Sequence, residues 1–450
     1  MNNDTIFALS SGHGKSGVAV IRVSGENLRG VFTKFINKSE YKNRFAYFTN
    51  LRDDNGELID QCLAIYFPAP HSFTGQDVIE LHTHGAPAVI NAVFEFLSSL
   101  GMRMAMPGEF SRRAFYNNKM DLADVDGLAA LLDAQTDVQR KHALQSMLGR
   151  DSEIYNMWRT QMVEISAYAA AMLDYSPDDL PANIGETILS RTQKLYDEIG
   201  VALRGYRRAR AIRGGINVAL VGETNVGKSS VFNYLVGSNR AIVSDIAGTT
   251  RDVVSATIDI DGYMVNLSDT AGIRETDDII ESIGIERTKN EIENADLVVR
   301  VFTPEQQSAK CNLTTSRLRG AAVQSANNEI IIINKSDMLS EIELCTLNSE
   351  LCLCVSAHTG DGMDKLMDTL RKKIHEMFDG RESDLSLNAR TKALLESAYT
   401  ELESAIGAGG NYDIFAEHTR RAADNIGKIL GTITANEILD MTFGQLCLGK

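Results

Sequence analysis

The stretch INVALVGETNVGKSS, Ile216 to Ser230, constrains this chain more than any other. An apolar run of strand character passes into Gly222, four residues, then Gly227-Lys228-Ser229, and the residues after these can open a helix. A phosphate-cradling loop requires that order: backbone N–H groups and the helix N-terminus face the phosphates, the lysine reaches the β and γ oxygens, and the hydroxyl takes Mg2+. The spacing predicts a nucleotide-binding α/β domain with Asn225, Val226, Gly227, Lys228, Ser229 and Ser230 around the phosphates. Gly14-Lys15-Ser16 copies only the end of the motif. Leu9 stands where its first glycine would have to be, so no second site is expected there.

The base follows from Asn334-Lys335-Ser336-Asp337, directly after the strand-like EIIIIN. A carboxylate at Asp337 accepts from both N1–H and the exocyclic amine of guanine, and adenine offers no such pair. Ser356 and Ala357 open SAHTGDG, where a backbone amide can meet the guanine carbonyl. In DTAG (Asp269, Thr270, Ala271, Gly272), Asp269 can hold Mg2+ through water and the Gly272 amide can sense the γ-phosphate. SDIAGTTRD contributes Ser244, Asp245, Ile246, Ala247, Gly248, Thr249 and Thr250, with Thr250 a second Mg2+ ligand beside Ser229. The nucleotide is therefore GTP. Small signalling GTPases place a water-orienting glutamine after DTAG; Ile273 stands here and cannot hydrogen-bond a nucleophile. Another polar group must do so, and RETDDIIESIG offers several acids.

Residues 216 to 377 alternate strand runs with helices, the pattern of a mostly parallel doubly wound sheet. Before residue 118, the strand-like VAVIRVSG, CLAIYF and DVIELHTHG mix with the helical APAVINAVFEFLSSLG, an α+β unit. Leu122, Val125, Ala129 and Leu132 then recur at helical steps, and helix is expected to continue to DYSPDDLP, resume over 185–212 and return after 385. The expected architecture is an N-terminal α+β domain (1–118), an α-helical domain in two parts (119–212 and 378–450), and an inserted α/β P-loop GTPase domain (213–377).

An apolar fraction of 44% beside 23% charged residues is that of globular protein. No apolar run approaches the roughly 18 residues a membrane span needs, and the N-terminus lacks the basic region of a leader, so a soluble, cytoplasmic protein without membrane partners is expected. Six scattered cysteines form neither a disulfide framework nor a zinc pattern. His82 and His84 share a strand face without a third ligand, and Cys352 and Cys354 read as core of a buried strand. A net charge of -15 argues against broad binding of nucleic acid, so an RNA partner must use a local patch. The candidate is RGYRRARAIRG, with Arg204, Arg207, Arg208, Arg210 and Arg213, which otherwise reads as a solvated helix face leading into a linker.

Taken with SFTGQDVIELHTHGAP, MPGEFSRRAFYNNKMDLADVDG and the final CLGK, these motifs resemble the MnmE (TrmE) tRNA-modification GTPase family along the whole chain. The chain departs from the family in having SSGHGKSG where a PPG turn is usual and Leu446 where phenylalanine is common. The resemblance implies a potassium-dependent GTPase that forms a homodimer through its N-terminal domain. That domain would bind a tetrahydrofolate derivative of the 5-formyl or methylene type. With an FAD-bearing MnmG-like partner, in a heterotetramer or larger complex, the protein would add a carboxymethylaminomethyl-type group at C5 of the wobble uridine of certain tRNAs. Matching positions make Arg22, Glu80, Lys119 and Lys450 the folate candidates. Asn225, Ser244, Ile246 and Thr249 become the K+ candidates, and Glu281 the acid that positions the attacking water. The rival is a GTP-switched RNA-binding or ribosome-assembly factor that does no chemistry on RNA; its one hint, Gly407 to Gly410, lacks the neighbouring cations of an RNA clamp.

Cys447, three residues before Lys450, has three readings. CLGK fails as a prenylation box because lysine ends it and glycine fills an aliphatic position. A buried helical thiol and a reactive one made nucleophilic by nearby Lys450 both remain. The resemblance favours the second, placing the tail near the folate and making Cys447 catalytic.

Overall fold

The computed structural model describes residues 4–175, 183–241, 254–269, 292–305, 328–339, 352–378, 385–408 and 410–432. They fall into two compact units, one drawn from 1–132, 144–200 and 393–450, the other from 133–143 and 201–392.

In the first unit β1 (Ile6–Leu9), β2 (Ser16–Gly25), β3 (Tyr47–Arg52), β4 (Leu58–Phe67), β5 (Asp77–Gly85) and β6 (Arg103–Met104) form one sheet in the order β3-β4-β5-β2-β1-β6. All neighbours are antiparallel except β1 and β6. Alternation along the strands turns Ile21, Val23, Ile79 and Leu81 to one face, which α1 (Arg29–Ile36) and α2 (Pro87–Ser99) cover with Phe32, Phe35, Val93 and Phe96. Burying each such side chain contributes about 1.5–3 kcal/mol. The same alternation leaves Arg22 and Glu80 on the opposite face.

The helical stretch expected beyond residue 119 consists of three helices, α4 (Leu122–Asp133), α5 (Asp137–Met147) and α6 (Arg150–Asp174), after a short α3 (Glu109–Tyr116). Thr136 and Gln139 form a capping box that starts α5: the Gln139 amide donates to Thr136 Oγ1, and Gln139 Oε1 accepts from the Thr136 and Gln135 amides. Gly149, at φ +95°, turns the chain into α6. Gly127 lets α4 meet the end of α5, since a Cβ there would lie 2.4 Å from the Met147 nitrogen. α7 (Ile184–Gly214) ends at the first glycine of the pair, as its sequence suggests.

The second unit holds β7 (Ile216–Val221), α8 (Lys228–Ser238), β8 (Arg240–Ala241), β9 (Val254–Ile260), β10 (Tyr263–Asp269), β11 (Leu297–Phe302), β12 (Glu329–Ile333), β13 (Cys352–Cys354) and α9 (Met363–Phe378). Its sheet runs β13-β12-β11-β7-β10-β9-β8, parallel from β13 to β10, with β9 antiparallel to β10 and β8 antiparallel to β9. Val218, Leu220, Val299, Val301 and Ile332 are buried beneath Phe232 and Leu235 of α8 and Leu366 and Leu370 of α9. Residues 133–143 pack on this unit, where Gln139 Nε2 donates to the Arg213 carbonyl at 3.1 Å and the Val138 amide to that of Gly262 at 3.4 Å. Cys352 and Cys354 sit on β13, the edge strand among the described residues, and are half-buried rather than in the core, because no described strand pairs with the outer side of β13.

Back in the first unit, α10 (Ala389–Gly407) stacks Tyr399 on Tyr196 at 4.1 Å, and α11 (Tyr412–Leu430) lies along α6. Gly431 ends α11 at φ +80°, with Phe115 and Leu122 so close that a Cβ would fall 2.7–2.8 Å from their carbons.

Candidate GTP site and folate-side pair

The parallel strands β7, β10, β12 and β13 end at one edge of the sheet, the edge on which open α/β sheets bind ligands. The loop after β7 is drawn close to its neighbours. A Cβ on Gly222 would meet the Val301 carbonyl at 2.3 Å, and one on Gly227, at φ +91°, would meet Asn334 Nδ2 at 2.2 Å. Gly227 caps the N-terminus of α8, so the first-turn amides of that helix face the loop. Lys228 is 4% exposed and donates to the carbonyls of Gly222 and Glu223 at 2.8 and 2.7 Å. Burial lowers its pKa, with Asp269 pulling the other way. The ammonium thus waits at the loop mouth, held by acceptors that a phosphate can replace.

Ser229 Oγ donates to Asp269 Oδ2 at 2.6 Å, joining the start of α8 to the end of β10. A hydroxyl beside a buried carboxylate is the oxygen donor set that Mg2+ prefers. Ser230 follows on the exposed side of α8.

Asn334 braces the loop from the side. Its Nδ2 donates to the Val226 carbonyl at 3.0 Å and its Oδ1 accepts from the Ala357 amide at 3.2 Å. Lys335, at φ +63°, donates from Nζ to the Asn225 carbonyl at 2.9 Å, and Asn225 is itself at φ +62°. Ser356 Oγ donates to Asp337 Oδ1 at 2.6 Å, and this bond holds the Asp337 carboxyl below the usual carboxylate range. Ser244 through Thr250, Thr270, Ala271, Gly272, Glu281, Cys447 and Lys450 lie outside the described residues.

In the other unit Arg22 and Glu80 are direct cross-strand partners, and Arg22 donates to Glu80 Oε1 from Nε at 3.1 Å and Nη2 at 2.9 Å. The guanidinium lies 5.2 Å from the ring centre of Phe73 and 5.9 Å from that of Phe110. The turn holding Phe73 also meets the third candidate: a Cβ on Gly75, at φ +77°, would come 3.4 Å from Lys119 Cγ and 2.7 Å from Asn117 Cβ. Arg22, Glu80 and Lys119 are thus gathered around the 72–76 turn. Sequence reasoning missed Phe73 and Phe110 as the walls of this place, although they stand in SFTGQ and MPGEF, within the family-like motifs. His84 is taken by Asp60 at 2.7 Å, and no cluster of potential metal ligands occurs among the described residues.

Fold and site together define a P-loop GTP-binding domain set in a larger chain. Residues 5–119 match the family model described as GTP-binding protein TrmE N-terminus, and residues 122–447 match the MnmE helical domain. The tRNA modification GTPase MnmE of Wolbachia pipientis subsp. Culex pipiens (strain wPip) is 40% identical over 452 residues, spanning 100% of this chain and 99% of the relative. The protein of the same name from Aquifex aeolicus (strain VF5) is 36% identical, spanning 99% and 100%. The chain belongs to the MnmE (TrmE) family of tRNA modification GTPases.

Proposed function

We propose that this protein hydrolyses GTP in the service of tRNA modification, acting with an FAD-dependent MnmG-like partner at C5 of the wobble uridine. Full-length similarity to curated tRNA modification GTPases is the observation that carries this reading, and the braced phosphate loop is the geometry it needs. Residues 1–118 serve as the folate-binding and dimerisation domain, 119–212 and 378–450 as the helical domain, and 213–377 as the GTPase domain.

In this reading Asp337 and a backbone amide of the SAHTGDG loop fix the guanine, Lys228 and the first-turn amides of α8 hold the β and γ phosphates, and Glu281 positions water for attack on the γ-phosphorus. The bond to the β–γ bridging oxygen breaks, and GDP keeps its electron pair. Ser229 and Thr250 would hold Mg2+, and Asn225, Ser244, Ile246 and Thr249 would hold K+; bound there, the cations supply positive charge where the bridging oxygen becomes negative. Arg22, Glu80, Lys119 and Lys450 would orient a one-carbon tetrahydrofolate. Cytoplasmic location and homodimer formation complete the proposal; among the described residues no helix is long and apolar enough to cross a membrane.

Nucleoside analysis of tRNA from cells lacking the gene tests it. The modified wobble uridine should vanish and return with the wild-type gene. Unaltered tRNA in the deletion strain, with GTP hydrolysis intact in the purified protein, would favour a switch factor that leaves RNA chemistry to others.

A further inference from the structure

We propose that the arginine-rich end of α7 is the surface on which this protein holds the phosphate backbone of its tRNA, an inference that rests on the tRNA reading above. From Glu198 to Glu223 the intervening chain has no acidic residue and five arginines, within a molecule of net charge -15. An acidic molecule repels RNA over most of its surface, so the approach of a polyanion is focused on such a place.

The arginines differ in how tightly the fold engages them. Arg210 has a structural duty: its Nη2 donates to both oxygens of Asp296, at 2.8 and 3.1 Å, and that carboxylate is fully buried at the foot of β11. Asp296 Oδ2 also accepts from the Asn217 amide at 3.1 Å, so one arginine and the backbone already satisfy it. Arg207 stands 3.6 Å from Asp296 with its side chain 63% exposed, beyond hydrogen-bond reach. Arg204 is exposed, and no carboxylate among the described residues pairs with it. Positions 204, 207 and 208 are spaced i, i+3 and i+4 and lie along one side of the helix. Around the helix Lys392 places its ammonium 5.0 Å from the ring centre of Tyr206, adding a cation and an aromatic face to the same end. Guanidinium forks suit phosphate oxygens, and the exposed pair Arg204 and Arg207, one helical turn apart, can grip neighbouring phosphates of a backbone.

The test uses the full chain, an unmodified tRNA transcript and a salt series. Arg204→Gln/Arg207→Gln removes two charges while Arg210 keeps Asp296 paired. Arg420→Gln/Arg421→Gln removes two exposed arginine charges from α11 as the control. The first variant should bind tRNA about tenfold more weakly near physiological salt and flatten the slope of log affinity against log salt by roughly two, about one for each phosphate no longer held. The control should match wild type, and all three proteins should hydrolyse GTP alike. Equal losses in the two variants, no loss in the first, or no tRNA affinity in wild type would each overturn the surface. Wild-type GTPase activity beside any of these leaves the GTPase reading standing. Intact tRNA binding with lost modification in cells would assign the patch to a protein partner, and so also overturn the proposal.

Discussion

The Ser229 hydroxyl donates to Asp269 Oδ2 across 2.6 Å, joining residues forty positions apart at the mouth of the phosphate loop. Removing the hydroxyl leaves the carboxylate in place but, on the proposed assignment, takes one of the ligands Mg2+ would use. Ser229→Ala should therefore need far more Mg2+ for hydrolysis and turn over about 10²-fold more slowly, the scale of losing one preorganised stabilising group. Phosphate release measured across a Mg2+ titration checks this.

Asp337→Asn removes the acceptor for the two guanine donors. GTP affinity should fall roughly thirtyfold, and xanthosine triphosphate, whose 2-oxo group suits an amide donor, should become the better ligand. Competition between the two nucleotides reads this directly. The Ser356 hydrogen bond depresses the Asp337 pKa, so the ionised form is favoured when the fold is present. Any stability this contributes is present above the ordinary carboxylate pKa and lost as pH falls through the depressed value. GTP affinity should accordingly be flat from about pH 8 to 5, and Ser356→Ala should move the acid-side loss to higher pH.

Hydrolysis should be fast in K+ and slow in Na+, with Asn225→Ala erasing the difference. Equal wild-type turnover in the two salts would remove the potassium reading. Glu281→Ala should slow hydrolysis while leaving GTP affinity near wild type.

Cys447→Ser should fold, dimerise and hydrolyse GTP as wild type yet fail to restore the modified uridine in a deletion strain. Gly431, from which the chain continues toward Cys447, lies against Phe115 and Leu122, a few residues on either side of Lys119. Full restoration by the serine variant would make the thiol structural.

Gly127→Ala should destabilise the first unit. A methyl group 2.4 Å from the Met147 nitrogen must displace backbone, at about 1–3 kcal/mol, which outweighs a helix-propensity gain of at most about 1 kcal/mol. Thermal unfolding should show the Tm lowered by a few degrees.

What the sequence made legible was local. Ile216 to Ser229 carries its own strand, turn and helix signals, and Asn334 to Asp337 follows its strand at once, so their chemistry could be read without the fold. β9 escaped, although VSATIDI alternates and Asp261-Gly262 after it is a hairpin signal; both residues take positive φ, as a two-residue hairpin turn demands. The split of α4 from α5 was hidden because Thr136 and Gln139 look like ordinary helix-surface residues until their side chains close on backbone amides. Packing of 133–143 on the α/β unit depends on a pairing with Arg213 and Gly262, far along the chain, which periodicity cannot register. Arg22 and Glu80 were placed by resemblance alone; their facing positions in β2 and β5 supply the physical reason.

Asn334 touches the phosphate loop through Val226 and the base loop through Ala357. On the proposed assignment of these loops, any drift at this position would degrade the grip on the common part of every nucleotide together with the part that tells them apart. A lineage exploring new base preferences through Asn334 would cross a valley in which nothing is bound well. Asp337 is different: its described side-chain bond goes to Ser356, in the base loop. Changes of taste are therefore open through Asp337, with the phosphate machinery inherited unchanged.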